Sequence, residues 1–216
     1  MSRRFPVYIL IDTSGSMQGE PIQAVKVGLT DMIASLRQNP YALETVSISI
    51  ITFNSKVKQL VPLTALEDLQ LPEIEVPESG ATFIGAALHM LCERYDAEVH
   101  FGSHEQKGDW MPVLFILTDG KPSDLQAYRE GVERVKRHKF TNIVACAAGP
   151  KAKTEPLLLL TDQVYTLETM DITTFRKFFE WVTINIGEGG KSVGVSTGCT
   201  QLQPPPREIC PVIDTK

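Results

Sequence analysis

The sequence lacks long apolar runs and contains few cysteines, and both absences narrow the class of protein. No apolar run approaches the ~20 residues that a membrane span needs. Asp12 interrupts the first apolar stretch too early for a signal peptide, so a cytoplasmic location is expected. Four cysteines in 216 residues do not indicate a disulfide framework, and Cys199 and Cys210 near the end are too few for a zinc site.

Basic residues are also too few and too scattered for a nucleic-acid-binding protein. The chain has 21 Lys and Arg against 26 Asp and Glu, which gives a net charge of −5 at pH 7. No basic stripe interleaved with aromatic residues is present. The histidines are scattered, which favours surface positions over catalysis; they are His89, His100, His104 and His138.

What the sequence does contain is a regular alternation of short apolar runs with amphipathic stretches. The short runs predict strands over residues 7–11, 46–53, 57–63, 113–117, 143–147 and 164–167. The amphipathic stretches predict helices that begin at Pro21, after Thr82, at a Ser123 cap and at an Asp171 cap, with the last one ending at Gly187. This order predicts a doubly wound α/β fold, a mostly parallel sheet flanked by helices with one antiparallel edge strand.

The composition changes after residue 187. Residues 188–216 contain several Gly and Pro and no aromatic residue, so they could not form a hydrophobic core alone. We therefore predict one domain over 1–187 and a Gly- and Pro-rich C-terminal tail over 188–216.

Oxygen-bearing side chains follow the two most apolar strands. Asp12, Ser14 and Ser16 come directly after the first, and Asp119 follows the strand at 113–117. Thr82 lies between them in sequence and opens a helix. Because the carboxyl ends of parallel strands meet at one edge of a sheet, these five side chains are expected to converge there. Taken singly, each motif also fits an ordinary turn or helix cap.

The donor types indicate which ion such a site would hold. Two carboxylates and three hydroxyls are hard oxygen ligands, which suit Mg²⁺, Mn²⁺ or Ca²⁺ rather than zinc or copper. If the neutral hydroxyls bind directly and the aspartates act through water, the ion keeps much of its positive charge. An acidic side chain of another protein could then complete the coordination shell.

These residues resemble the metal-ion-dependent adhesion site of von Willebrand factor type A domains. The Asp-x-Ser-x-Ser motif of that family falls on Asp12, Ser14 and Ser16, its threonine on Thr82 and its second aspartate on Asp119. The resemblance implies Mg²⁺ or Mn²⁺ ahead of Ca²⁺, and a partner Asp or Glu as the closing ligand. The residues expected around the contact rim are Gly15, Met17, Gly80, Phe83 and Lys121.

Within that family the sequence looks like the bacterial TerY proteins of tellurite-resistance operons. The features are the start at 3–8, the Ser79-Gly80-Ala81-Thr82 segment and the run at 119–124. This resemblance implies a chemical-stress role with kinase- or phosphatase-like partners. From the site residues as a whole, we expect a metal-dependent protein-interaction module that is not an enzyme.

The main alternative is a Mg²⁺-dependent phosphoryl-transfer hydrolase of the haloacid-dehalogenase kind. Such enzymes also place an aspartate after the first strand, but they need a second acid two residues later, where this sequence has Ser14. A partial phosphate-loop pattern at Gly190-Lys191-Ser192 lacks the upstream glycine and follows a helix, so it does not support an ATPase.

Overall fold

The computed structural model describes residues 3–77, 80–102, 107–150, 152–192 and 202–212, with the backbone alone at 188–192. Its centre is a seven-stranded sheet in the order β3-β2-β1-β4-β5-β6-β7. The strands are β1 (Phe5–Asp12), β2 (Val46–Phe53), β3 (Val57–Ala65), β4 (Val113–Thr118), β5 (Asn142–Ala148), β6 (Val164–Leu167) and β7 (Ile209–Pro211). The helices are α1 (Glu20–Arg37), α2 (Pro40–Thr45), α3 (Ile84–Glu98), α4 (Leu125–Arg137), α5 (Glu155–Leu158) and α6 (Ile172–Ser192).

The central strand β1 is buried along its whole length and separates two cores. Its residues Phe5, Val7, Ile9 and Ile11 pack into the core beneath α1 and α6, whereas Tyr8 and Leu10 pack into the core beneath α3 and α4. This alternation follows from the two-residue repeat of a strand that is covered on both faces. The predicted doubly wound α/β fold is therefore confirmed.

The order in which strands are added to the sheet reverses at β1, with β2 and β3 on one side and β4, β5 and β6 on the other, and this places the functional edge. β1 pairs in parallel with β2 on one side and with β4 on the other. In a doubly wound sheet, the crevice beyond the carboxyl ends of two such strands is the usual ligand position. The residues after β1 and β4 therefore lie where this fold places binding sites.

Both sheet edges are antiparallel, whereas the sequence predicted one antiparallel edge strand. β3 pairs antiparallel with β2, as a hairpin predicts, and β7 pairs antiparallel with β6. β7 was missed because three residues are too few to show a periodic pattern. The described part of the tail, 202–212, thus adds a strand to the sheet, and the boundary at residue 187 stays a prediction.

Three details of the predicted helices are wrong. α6 continues to Ser192 through Gly187, which does not have the positive φ of a helix-ending glycine. α4 begins after Asp124, and Ser123 does not cap it. A short helix, α2, was not predicted where Asn39-Pro40 was expected only to end α1. The predicted Asp171 cap is confirmed by a 2.9 Å hydrogen bond from the Thr174 N–H.

Some positions singled out in the sequence lie outside the described residues; they are Ser79, His104 and Cys199. Among the residues that the structure describes, no helix has the length and apolar character of a membrane span.

Candidate metal centre

The site is built around Asp12, the last residue of β1. Its side chain is fully buried. The Ser14 N–H donates to Oδ1 over 2.8 Å, and the Thr118 hydroxyl donates to Oδ2 over 2.6 Å. Since β4 runs beside β1 in register, Thr118 stands opposite Asp12 and can reach it across the sheet edge. Both carboxylate oxygens are therefore held in place.

Ser14 and Ser16 lie together directly after Asp12. Their hydroxyl oxygens are 3.1 Å apart. A short 3₁₀ turn over Gly15–Met17 brings them to the same side, and the buried side chain of Met17 anchors that turn to the core. Ser14 is buried and Ser16 is exposed, so this pair lies between the protein interior and solvent.

Burial changes the acidity of Asp12. Desolvation raises the pKa of its carboxyl from 3.8 to about 6, against the hydrogen bonds from Thr118 and Ser14, which lower it. The negative charge of Asp119 also raises the pKa of Asp12. Nearby acids at a buried sheet edge are an arrangement that a cation would stabilise.

Asp119 contributes an oxygen that has no partner within the described part of the chain. Its Oδ1 atom is buried, yet no hydrogen bond reaches it. Buried carboxylate oxygens are almost always paired, and an unpaired one is a position where a water, an ion or a ligand can bind. This atom is the clearest indication that the site accepts something from outside the polypeptide.

Thr82 reaches the same place from the segment before α3. Its side chain is buried, and a Cβ built on Gly120 would lie 3.1 Å from the Thr82 hydroxyl oxygen. Thr82 therefore lies against the residue that follows Asp119. All five predicted residues come to one sheet edge, and their role as metal ligands stays a prediction.

Three further residues belong to the site although the sequence analysis did not select them. Asn54 bonds to the segment after β1, and Ser123 and Asp124 bond to the segment around Thr82 and the start of α3. They were missed because turn and cap residues of this type occur in many loops. No local pattern in the sequence marks them as part of the site.

The surroundings of the site combine exposed cations with an open cleft. Three exposed lysines lie near the strand ends at this edge: Lys56 just before β3, Lys58 near the start of β3, and Lys121 after β4. A cleft of ≈ 680 Å³ is lined by Thr13, Lys56 and Lys58, and also by Glu73 and Glu75. Of the predicted rim, Gly80 is exposed, Phe83 is half-buried and Met17 is fully buried, so Met17 cannot contact a partner.

The donor set fits a hard divalent cation. The described residues contain no group of three His, Cys, Asp or Glu side chains suited to a metal ion. The site instead combines two carboxylates with three hydroxyls, which are ligand types that Mg²⁺ and Mn²⁺ accept.

Residues 7–179 match the family model of the von Willebrand factor type A domain. The chain belongs to that family. This type A domain is also similar to solved structures at low sequence identity. Proximal thread matrix protein 1 from the mussel byssus has a TM-score of 0.66 at 19% identity, over 86% of this chain and 48% of that chain. The D319A mutant of the PilB minor pilin from Streptococcus sanguinis has a TM-score of 0.64 at 12% identity, over 91% of this chain and 64% of that one.

A third structure shows the mussel protein with a zinc-occupied metal-ion-dependent adhesion site, at 20% identity and a TM-score of 0.59, over 88% of this chain and 46% of that chain. The type A domain described here thus spans about half the length of the mussel protein. Among curated protein sequences, none matches this chain significantly.

Proposed function

We propose that this type A domain is a non-catalytic module that binds a partner protein through a divalent cation. The observation that carries the proposal is the buried, unpaired Oδ1 of Asp119, next to Asp12 and to Thr82. Asp12, Ser14, Ser16, Thr82 and Asp119 would hold the ion. A carboxylate from the partner would supply the remaining ligand.

The hydroxyl-rich donor set explains why an outside carboxylate would bind well. Ser14, Ser16 and Thr82 are neutral, so they leave most of the charge of a divalent ion unbalanced. Asp12 is already engaged through both oxygens by Ser14 and Thr118. An ion in this setting attracts one more anionic ligand strongly, and that attraction is the chemistry it would supply.

We favour Mg²⁺ or Mn²⁺ ahead of Ca²⁺. Three hydroxyl oxygens, waters held by the two aspartates and one partner oxygen match six-coordinate geometry, whereas Ca²⁺ takes six to eight oxygens. The zinc in the related mussel structure was observed in that protein. We do not extend it to this chain, because the donor set has neither thiol nor imidazole.

The partner we propose is an acidic surface. Lys56, Lys58 and Lys121 are exposed around the site and would attract a segment that carries more than the one metal-binding carboxylate. From the sequence resemblance to TerY proteins, we further propose a cytoplasmic chemical-stress system, such as tellurite resistance, with kinase- or phosphatase-like partners.

A phosphoryl-transfer hydrolase is a weaker reading of the same residues. A nucleophilic aspartate needs an accessible oxygen, and Asp12 is fully buried with hydrogen bonds to both of its oxygens. Robust Mg²⁺-dependent phosphatase turnover that is lost in Asp12→Asn would favour the hydrolase instead.

The proposal is tested by capture of partners from a native lysate in Mg²⁺, in EDTA and after Mg²⁺ is restored. The wild type should capture a protein in Mg²⁺, release it in EDTA and recapture it. Asp119→Asn should fail in all three buffers. Asp162→Asn is the matched control, because Asp162 is exposed just before β6 at the opposite sheet edge. Capture that is insensitive to EDTA, or that survives in Asp119→Asn, would overturn the proposal.

A further inference from the structure

Three separate segments carry the proposed ligands. We call them the serine loop (12–17), the threonine loop (80–83) and the aspartate loop (119–124). We propose that Asn54, Ser123 and Asp124 are positioning residues that fix the threonine loop between the other two, so that Thr82 meets the ion without adjustment. The inference rests on the proposed metal function and extends it to residues that would not touch the ion.

Asn54 joins the serine loop to the threonine loop. Its Nδ2 donates to the Thr13 hydroxyl over 3.0 Å, and Thr13 donates in turn to the Phe53 carbonyl over 3.2 Å. The backbone carbonyl of Asn54 accepts from the N–H of Phe83 over 3.0 Å. Asn54, which directly follows β2, therefore holds Thr13 and Phe83 at a fixed separation. These two residues are the neighbours of Asp12 and Thr82.

Ser123 joins the threonine loop to the aspartate loop. Its hydroxyl oxygen accepts from the Thr82 N–H over 3.1 Å, and its own N–H donates to the Thr82 carbonyl over 2.9 Å. Both backbone groups of Thr82 are thus bound to a single residue. The side chain of Thr82 remains free to face the site, beside Gly120.

Asp124 extends this link to the start of α3. The N-cap residue of α3 is Phe83, whose side chain has no acceptor for the first N–H groups. Asp124 supplies one from the neighbouring loop: its two carboxylate oxygens accept from the N–H of Gly85 over 3.1 Å and of Ala86 over 2.8 Å. A negative charge is also favourable at that helix end. Asp124 does not cap its own helix, α4, through its side chain.

Thr118 provides the third link, between the aspartate loop and the serine loop. Its hydroxyl accepts from the Gly120 N–H and donates to Asp12. Each pair of loops is therefore tied by at least one residue that is not a proposed ligand. Residues that orient metal ligands in this way typically change metal affinity by about 10- to 100-fold when they are replaced. Replacing a residue that served only as a helix cap would lower the stability of the fold and leave the metal affinity of the folded protein unchanged.

The test compares Mn²⁺ affinity, measured by calorimetric titration, with thermal stability measured in EDTA. The variants are Asp124→Asn and Ser123→Ala, with Ser123→Thr as the conservative rescue. Asp171→Asn is the control, because Asp171 also accepts a cap hydrogen bond, from Thr174 at the start of α6, but lies away from the site. We expect about 10-fold weaker Mn²⁺ binding for Asp124→Asn and Ser123→Ala, and wild-type affinity for Ser123→Thr and Asp171→Asn.

The outcomes separate this inference from the proposed function. A wild type that binds no Mn²⁺ overturns both. A wild type that binds Mn²⁺ together with an unchanged affinity in Asp124→Asn and Ser123→Ala overturns the positioning role alone. If Asp124→Asn does not fold, Ser123→Ala decides, since it leaves the Asp124 cap of α3 in place.

Discussion

The hydroxyl of Thr118 donates a 2.6 Å hydrogen bond to Oδ2 of Asp12, and both side chains are almost completely buried. This contact joins the carboxyl ends of β4 and β1 where the sheet reverses its winding. Together with the bond from the Ser14 N–H to Oδ1, it holds the Asp12 carboxylate in one orientation.

Thr118→Val keeps the shape of the side chain and removes the hydroxyl. We expect about 10-fold weaker Mn²⁺ binding, because Asp12 loses the donor that orients it. Calorimetric titration measures the affinity. Thr118→Ser keeps the hydroxyl and should bind nearly as well as the wild type. Equal affinity for the Val and Ser variants would show that the hydroxyl does not orient Asp12.

Asp12→Asn should stabilise the metal-free protein at neutral pH. Burial raises the pKa of Asp12 to about 6, so the folded state takes up a proton more readily than the unfolded state, in which the value is near 3.8. Protonation of Asp12 therefore contributes favourably to the free energy of unfolding. This contribution is complete below pH 4 and is lost as the pH rises through about 6. At pH 7 the charged Asp12 therefore destabilises the folded, metal-free protein, by at most about 3 kcal/mol.

Urea unfolding in EDTA at pH 7 and at pH 4.5 checks this sign. The advantage of Asp12→Asn over the wild type should be largest at pH 7 and should shrink at pH 4.5. With excess Mg²⁺ at pH 7 the wild type should regain stability and the variant should not. An Asn variant that is less stable than the wild type in EDTA at both pH values contradicts the prediction.

Two glycines should respond in opposite directions to replacement by alanine. A Cβ on Gly85 would lie 2.2 Å from the backbone nitrogen of Tyr128, where α3 and α4 approach closely. Gly85→Ala should therefore destabilise the fold by about 1–3 kcal/mol or more. Gly187 lies inside α6, and its added Cβ would meet only Asn39 at 3.5 Å, so Gly187→Ala should stabilise by up to about 1 kcal/mol.

Denaturant midpoints measure both changes. Destabilisation by Gly187→Ala would indicate that α6 does end near this position, as the sequence pattern suggested. An unchanged free energy of unfolding in Gly85→Ala would mean that α3 and α4 can move apart at no cost in stability.

Lys121→Glu should slow association with the partner protein, once that partner has been captured in Mg²⁺ and released with EDTA. A reversed charge on the rim repels an acidic surface, so we expect a several-fold lower association rate at low salt and a smaller difference at high salt. Lys136→Glu makes the same charge change in the last turn of α4, away from the site, and serves as the control. Equal effects of the two variants would indicate net charge rather than a contact at the rim.

The sequence predicted the sheet well because its strands are short, apolar and separated by helical patterns. The six predicted strands are present within two residues of their expected limits. The expected convergence of Asp12 and Asp119 follows from the topology alone, since Asp12 ends β1 and Asp119 directly follows β4, the two strands that flank the switch in winding. The family match over 7–179 agrees with that reading.

What could not be predicted depends on contacts between distant loops. Ser123 fits a helix cap in sequence, but in the structure it binds Thr82, which lies 41 positions earlier. Asp124 caps a helix that is not its own. β7 depends on pairing with β6 and on Trp181, whose indole N–H donates to the Gln203 carbonyl over 2.8 Å. No local pattern encodes such contacts.

The most direct test of the metal centre is a calorimetric titration of the chelator-treated protein with Mn²⁺, for the wild type, Asp119→Asn and the exposed control Asp162→Asn. The account predicts one ion bound per chain, with the same affinity in Asp162→Asn and at least about 10-fold weaker binding in Asp119→Asn. A wild type that binds no ion, or an Asp119→Asn variant that binds as tightly as the wild type, would contradict it.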